Sequence, residues 1–125
     1  MSLHINIRQT GEVVVLQCRG RIVRDHALHL LKQAVTTPGQ SRVILLDLSG
    51  VETLDGGGLG MLVFLHGWTR SKGIRLMLVN PPDFVREMLD RTQLTSLLHV
   101  SSLSDAVEVI CNGKSSSEKA NRVVA

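Results

Sequence analysis

The chain has 125 residues, 43% of them hydrophobic, a formal net charge of +3, and three aromatic side chains, Phe64, Trp68 and Phe84. That length suits one domain with one core. Single-strand nucleic-acid binders need stacking platforms and duplex binders need basic clusters, whereas aromatics here are scarce and Arg and Lys are scattered along the sequence. No apolar stretch approaches the ~20 residues of a membrane span, and the start lacks a secretory signal. Cys18 and Cys111 show neither CxxC nor zinc spacing and read as two buried, reduced thiols, which implies a cytoplasmic protein.

In chain order, "LHINI" and "VVVLQCRG" are β-rich and flank the turn-like "RQTGE", the pattern of an antiparallel hairpin. Asp25 is placed to cap a helix, "HALHLLKQAV", in which Ala27, Leu30, Leu31 and Ala34 recur at helical spacing, and Pro38 and Gly39 end it. "RVILLDL" reads as a strand buried on both faces, hence central and parallel to a neighbour. "SGVETLDGGG" reads as a loop, followed by a helix, "LGMLVFLHGWTRSK", closed by Gly73. "IRLMLVN" repeats the buried-strand pattern. Pro81 and Pro82 introduce a short helix with Phe84, Val85, Met88 and Leu89 on one side. "LLHV" is a short strand and "SLSDAVEVICN" a last helix with a Ser or Asp capping signal. The polar tail, 113–125, has the composition of a disordered segment, leaving 1–112 as the domain. The order β-β-α-β-α-β-α-β-α predicts an α/β fold, a mixed sheet of about five strands with about four helices packed on it.

Three consecutive glycines, Gly56, Gly57 and Gly58, stand where a helix begins. Asp55 before them is an N-cap, its carboxylate suited to first-turn amides and to the positive end of the helix dipole. Glycine at these positions costs ~1–3 kcal/mol in total relative to alanine. A physical use for it is close approach of another surface to bare backbone. The spacing fits neither G-x-x-x-x-G-K-[ST] nor G-x-G-x-x-G, and no lysine follows to reach a phosphate, so nucleotide binding is the weaker alternative.

These residues carry a resemblance. "VILLDLSGVETLDGGGLGML" and "GIRLMLVNPPDFVREMLDRTQLTSLLHVSSLSDAV" resemble the STAS domain family, in particular bacterial anti-sigma factor antagonists. The family pattern is roughly D-L-S-x-V-x-x-[ILM]-D-S-[ST]-G-L-G, and this chain supplies Asp47, Leu48, Ser49, Val51, Leu54, Asp55, Gly58, Leu59 and Gly60. The resemblance implies a non-enzymatic module without cofactors. It would sequester an anti-sigma factor, itself a serine kinase-like protein, and so release sigma. It also implies a switch, phosphorylation of the serine after the motif aspartate, which places about −1.5 to −2 charge beside the interface. This sequence departs from the pattern there: the serine position is Gly56 and the next hydroxyl position is Gly57. The expected partner-binding residues are Ser49, Thr53, Asp55, Gly56, Gly57, Gly58 and Met61, with Gly56 at a phosphosite position that cannot be phosphorylated. A second implied role is a STAS regulatory subunit of a membrane lipid-transport complex, since such subunits also lack the phosphosite. Direct nucleic-acid binding and membrane insertion are not expected, and the oligomeric state stays open between a monomer and a weak dimer.

Other candidates read more plainly. His26 and His29 mark a solvated helix face rather than a metal site, and no third ligand is evident. His66 and His99, in apolar surroundings, read as packed histidines. Asp47 and Asp55 read as turn and cap residues, since neither a nucleophile–base pair nor a metal triad accompanies them. In the apolar helix after the glycines, Met61 or Phe64 would form a partner patch if left exposed.

Overall fold

The computed structural model describes residues 3–37, 41–108 and 110–111. The chain opens with a hairpin, β1 (Leu3–Thr10) and β2 (Val13–Ile22), followed by α1 (His26–Thr36), β3 (Val43–Leu54), α2 (Gly56–Ser71), β4 (Arg75–Val79), α3 (Asp83–Arg91) and β5 (His99–Ser101). A fourth helix, α4, covers 103–108. The strands form one sheet in the order β1-β2-β3-β4-β5, antiparallel between β1 and β2 and parallel elsewhere. This is the predicted mixed sheet of five strands with four helices.

The strand order explains where the helices lie. Successive parallel strands are laid down in one direction, and right-handed crossovers then put α1, α2 and α3 on the same face. They share one core there: Ala27, Leu31 and Val35 of α1, Leu62 and Leu65 of α2, and Val85 and Leu89 of α3 pack on Val14, Leu16, Ile44, Leu46 and Leu78 of the sheet. On the opposite face α4 sets Ala106 against Leu45, Met77 and Val79. Residues Ile44 to Leu48 of β3 are therefore buried on both faces, as a central strand requires.

Helix ends follow their chemistry. Asp25 caps α1 by accepting from the Ala27 amide at 2.7 Å. Gly73, at φ +73°, ends α2: its amide donates to the Arg70 carbonyl and that of Ile74 to Thr69, the paired bonds of a Schellman stop.

Several expectations need correction. The hairpin turn is only Gly11–Glu12, because Arg8 to Thr10 continue β1. "SGVETL" is strand rather than loop, since β3 runs on to Leu54 beside β2. Val35 rather than Leu30 or Ala34 completes the buried stripe of α1. Phe84 is 37% exposed, leaving Val85 and Leu89 as the buried pair of α3. Cys18 is buried but Cys111 is exposed, so the pair of buried thiols reduces to one. Burial, then the charge of Asp47, pushes the Cys18 thiol up to about 12, leaving it without reactive thiolate at neutral pH. His99 is exposed, while His66 is half-buried with an Nε2 that has no partner. The Pro38–Gly39 helix stop and the 113–125 tail lie outside the described residues.

Candidate functional site

β3 is made to bend. Its pairing with β2 slips twice, between Gln17 and Arg19 and again between Gly20 and Arg21, so β3 carries extra residues at both places. At the first slip Ser49 faces no β2 partner, and its amide donates instead to Asp47 Oδ1 at 2.9 Å. The predicted turn role of Asp47 is thus a bulge anchor within a strand, which accounts for an acidic residue only 8% exposed. After the second slip the strand ends at Leu54 and delivers Asp55 directly to the head of α2.

Asp55 is the N-cap, and it does more than cap. Oδ1 accepts from the Gly58 amide at 2.8 Å, while Oδ2 accepts from the Arg24 amide at 3.0 Å, in the segment joining β2 to α1. One carboxylate therefore ties two loops together. The bond from Arg24, then that from Gly58, holds the Asp55 carboxyl below its ordinary value of 3.8; desolvation opposes them, and the Gly57 amide and the Arg24 charge add smaller help. A folded-state pKa below the unfolded one stabilises the fold above the unfolded value, and that stabilisation is lost as pH falls through the folded one. We expect Asp55→Asn to lower the melting temperature at pH 7, and its deficit against the natural protein to shrink once pH drops below about 4. A deficit that does not change between pH 7 and pH 3 counts against the ionised clamp.

The three glycines turn out to differ. They form the first turn of α2, and none has a positive φ, so backbone conformation demands glycine at none of them. Gly58 is forced by packing: a Cβ there would drive into the Ile22 carbonyl oxygen and stand 2.6 Å from Leu54 Cδ1. The close approach expected of a partner at this position is made by the chain itself. At Gly57 a Cβ would stand 3.0 Å from Arg24 Cβ and 3.3 Å from Arg24 Nε, because the Arg24 side chain lies across the residue. Gly56 faces open space, with nothing within 4 Å of where a Cβ would be.

Asp55, Gly56, Gly57 and Gly58 thus sit together at one end of the molecule with Arg24. Thr53 is exposed on the last stretch of β3, opposite Arg21. Met61 is half-buried against the core, and Phe64 is an exposed large apolar residue of α2, 44% accessible with Lys32 Nζ 5.2 Å from its ring centroid. Ser49 lies apart, in a groove on the far face of the sheet with His4, Asn6, Gln17 and Arg19. Sequence reasoning missed Ile22 and Arg24. Both reach the site through contacts some thirty residues away along the chain, which no local spacing reports. His26 and His29 are exposed, with ring centroids 5.8 Å apart. Among the described residues no group of three or more His, Cys, Asp or Glu is placed to hold a metal ion, and no helix is long and apolar enough to cross a membrane.

A five-stranded mixed sheet with three helices on one face, and a capped helix carried at the carboxyl end of the central strand, define a STAS-type domain. The profile of the family described as "Mlab, STAS domain" matches residues 5–108, and the chain belongs to that STAS family. Among solved structures it is similar to a Thermotoga maritima protein assigned as an anti-sigma factor antagonist, with 26% identity over 83% of this chain and 92% of that one and a TM-score of 0.73. An anti-sigma factor antagonist from Mycobacterium paratuberculosis is 23% identical over 86% of this chain and 93% of its own, with a TM-score of 0.75. A sulfate transporter family protein from Wolinella succinogenes, 19% identical, covers 78% of this chain and 83% of its own at a TM-score of 0.69. The last two likenesses concern the fold. No curated protein matches this chain in sequence.

Proposed function

We propose that this protein is a non-enzymatic, cytoplasmic docking module of the anti-sigma factor antagonist kind. It binds an anti-sigma factor through Thr53, Asp55–Gly58 and the exposed side of α2, releases sigma, and lacks phosphate control at the usual place. The observation that carries the reading is the contrast within the glycine run. Gly58 is needed by the fold, whereas Gly56 is not: its surroundings are open and its φ is ordinary. By the family pattern that the sequence resembles, Gly56 falls at the phosphoacceptor position. Glycine there leaves a neutral, bare surface resembling the unmodified serine form with its side chain removed.

Phosphorylation tests the loss of the switch. Incubated with its anti-sigma factor kinase and ATP, the natural protein is expected to take up no phosphate on this loop, and Gly56→Ser to become a substrate. Stoichiometric phosphate on Ser49 or Thr53 of the natural protein would overturn the reading.

The same open glycine favours one other role, a STAS regulatory subunit of a membrane lipid-transport complex, where no phosphoserine is expected either. Co-purification separates the two: a kinase-like soluble partner supports the first, and a membrane-bound ATPase the second. Binding of a nucleotide at the head of α2 has less support, because the Asp55 carboxylate already holds the Gly58 amide that an anion would need.

A further inference from the structure

The face of the sheet opposite α1, α2 and α3 is only partly covered. α4 sets Ala106 with Leu45, Met77 and Val79, and Val13, Val15 and Val43 at the beginnings of β2 and β3 pack against that cluster. The remaining part gathers positive charge. Leu3, Ile5, Leu16, Cys18 and Ile22 face the main core, so strand alternation places His4, Arg8, Arg19 and Arg21 on the far side. His4 stands directly opposite Arg19 and Asn6 opposite Gln17, and a groove of about 380 Å³ lies among them and reaches Asp47 and Ser49.

Arg8, Arg19 and Arg21 are exposed, and none of them is ion-paired: the ion pairs among the described residues are Arg42–Glu12 and Arg91–Glu87. Asp47 directs one carboxylate oxygen to the Ser49 amide, and exposed Glu52 pairs with none of the three arginines. Like charges packed along one sheet face oppose folding and are relieved by an incoming anion. The patch is continuous with the docking end, because Arg21 pairs across the sheet with Thr53, two residues before Asp55.

We infer that this cationic sheet face is a second half of the docking surface, and that it receives an acidic stretch of the partner polypeptide. The inference rests on the docking reading for the partner's being a protein; charge complementarity and continuity with the Thr53–Gly58 end supply the rest.

The test uses the full chain and a synthetic twelve-residue Asp/Glu-rich peptide, followed by amide chemical shifts at low and at moderate salt. Shifts are expected in 4–8, 17–21 and 47–53, with affinity falling at least tenfold in the Arg8→Gln/Arg19→Gln/Arg21→Gln variant and declining steeply with salt. A control with the same charge loss elsewhere, Lys72→Gln/Arg86→Gln/Arg91→Gln, is expected to bind within twofold of the natural protein. Equal loss in both variants, or shifts confined to other surfaces, overturns the inference. Binding only to vesicles containing phosphatidylglycerol, or only to duplex DNA, overturns it as well. Gly56 takes no part in this titration, so a failed glycine seat and a failed cationic face give separable results.

Discussion

Replacing Gly58 by alanine is expected to destabilise the domain by about 3 kcal/mol or more, at the upper end of what overpacking usually costs. The added methyl group would drive into the Ile22 carbonyl oxygen and crowd Leu54 Cδ1. The first of these is backbone, fixed in β2 and also accepting from the Asp55 amide at 3.4 Å, so no side-chain rotation can yield the space. The head of α2 must then lift off β2, and the Asp55 bonds to Gly58 and Arg24 go with it. Against a typical domain stability of ~5–15 kcal/mol such a loss is large, and it corresponds to a fall in melting temperature of roughly 10–15 °C. Gly56→Ala, two residues away and facing open space, is expected to be neutral or to stabilise by up to ~1 kcal/mol, since alanine is the better helix former. Thermal and urea unfolding of the two variants side by side check the claim. Equal melting temperatures would mean that the helix head does not seat on Ile22 as described.

The same contrast marks how far the sequence could be read. Periodicity found every element, because β3 and β4 are continuous apolar runs and α1 and α3 have helical spacing, and Asp25 and Asp55 carried their capping chemistry with them. "SGVETL" misled because Ser and Gly favour turns and Glu is sparse in strands by local preference. Pairing with β2, interrupted by two register shifts, overrides that preference and keeps the segment in the sheet. His99 and Phe84 misled in the opposite direction: apolar neighbours in sequence said nothing of which face the third dimension leaves open. The glycine run was legible as a place but not as three separate roles. Telling Gly58 from Gly56 needs the position of Ile22, thirty-six residues earlier in the chain. For the same reason Arg8, Arg19 and Arg21 look scattered in sequence, and only the hairpin register brings them onto one face.

Gly56→Asp carries the largest effect expected on binding. Its value as a test is that folding should not suffer: the position opens α2, nothing lies within 4 Å, and negative charge is favourable in the first turn of a helix. A partner that seats against bare backbone there must desolvate the new carboxylate without a counterion, at a penalty of roughly 2 kcal/mol or more, or about a 30-fold weaker Kd. Gly56→Asn separates size from charge, being nearly the same shape without the ionised group. If both variants lose the anti-sigma factor, the interface needs close approach to the main chain. If only the aspartate does, the interface has room and is governed by the field around Arg24, Asp55 and the helix end. Calorimetric titration of each variant against the anti-sigma factor distinguishes these, with thermal unfolding confirming that both remain folded. Undiminished affinity for the aspartate variant would place the partner somewhere other than the head of α2, because no contact surface built around an open, uncharged glycine accommodates a buried carboxylate for nothing.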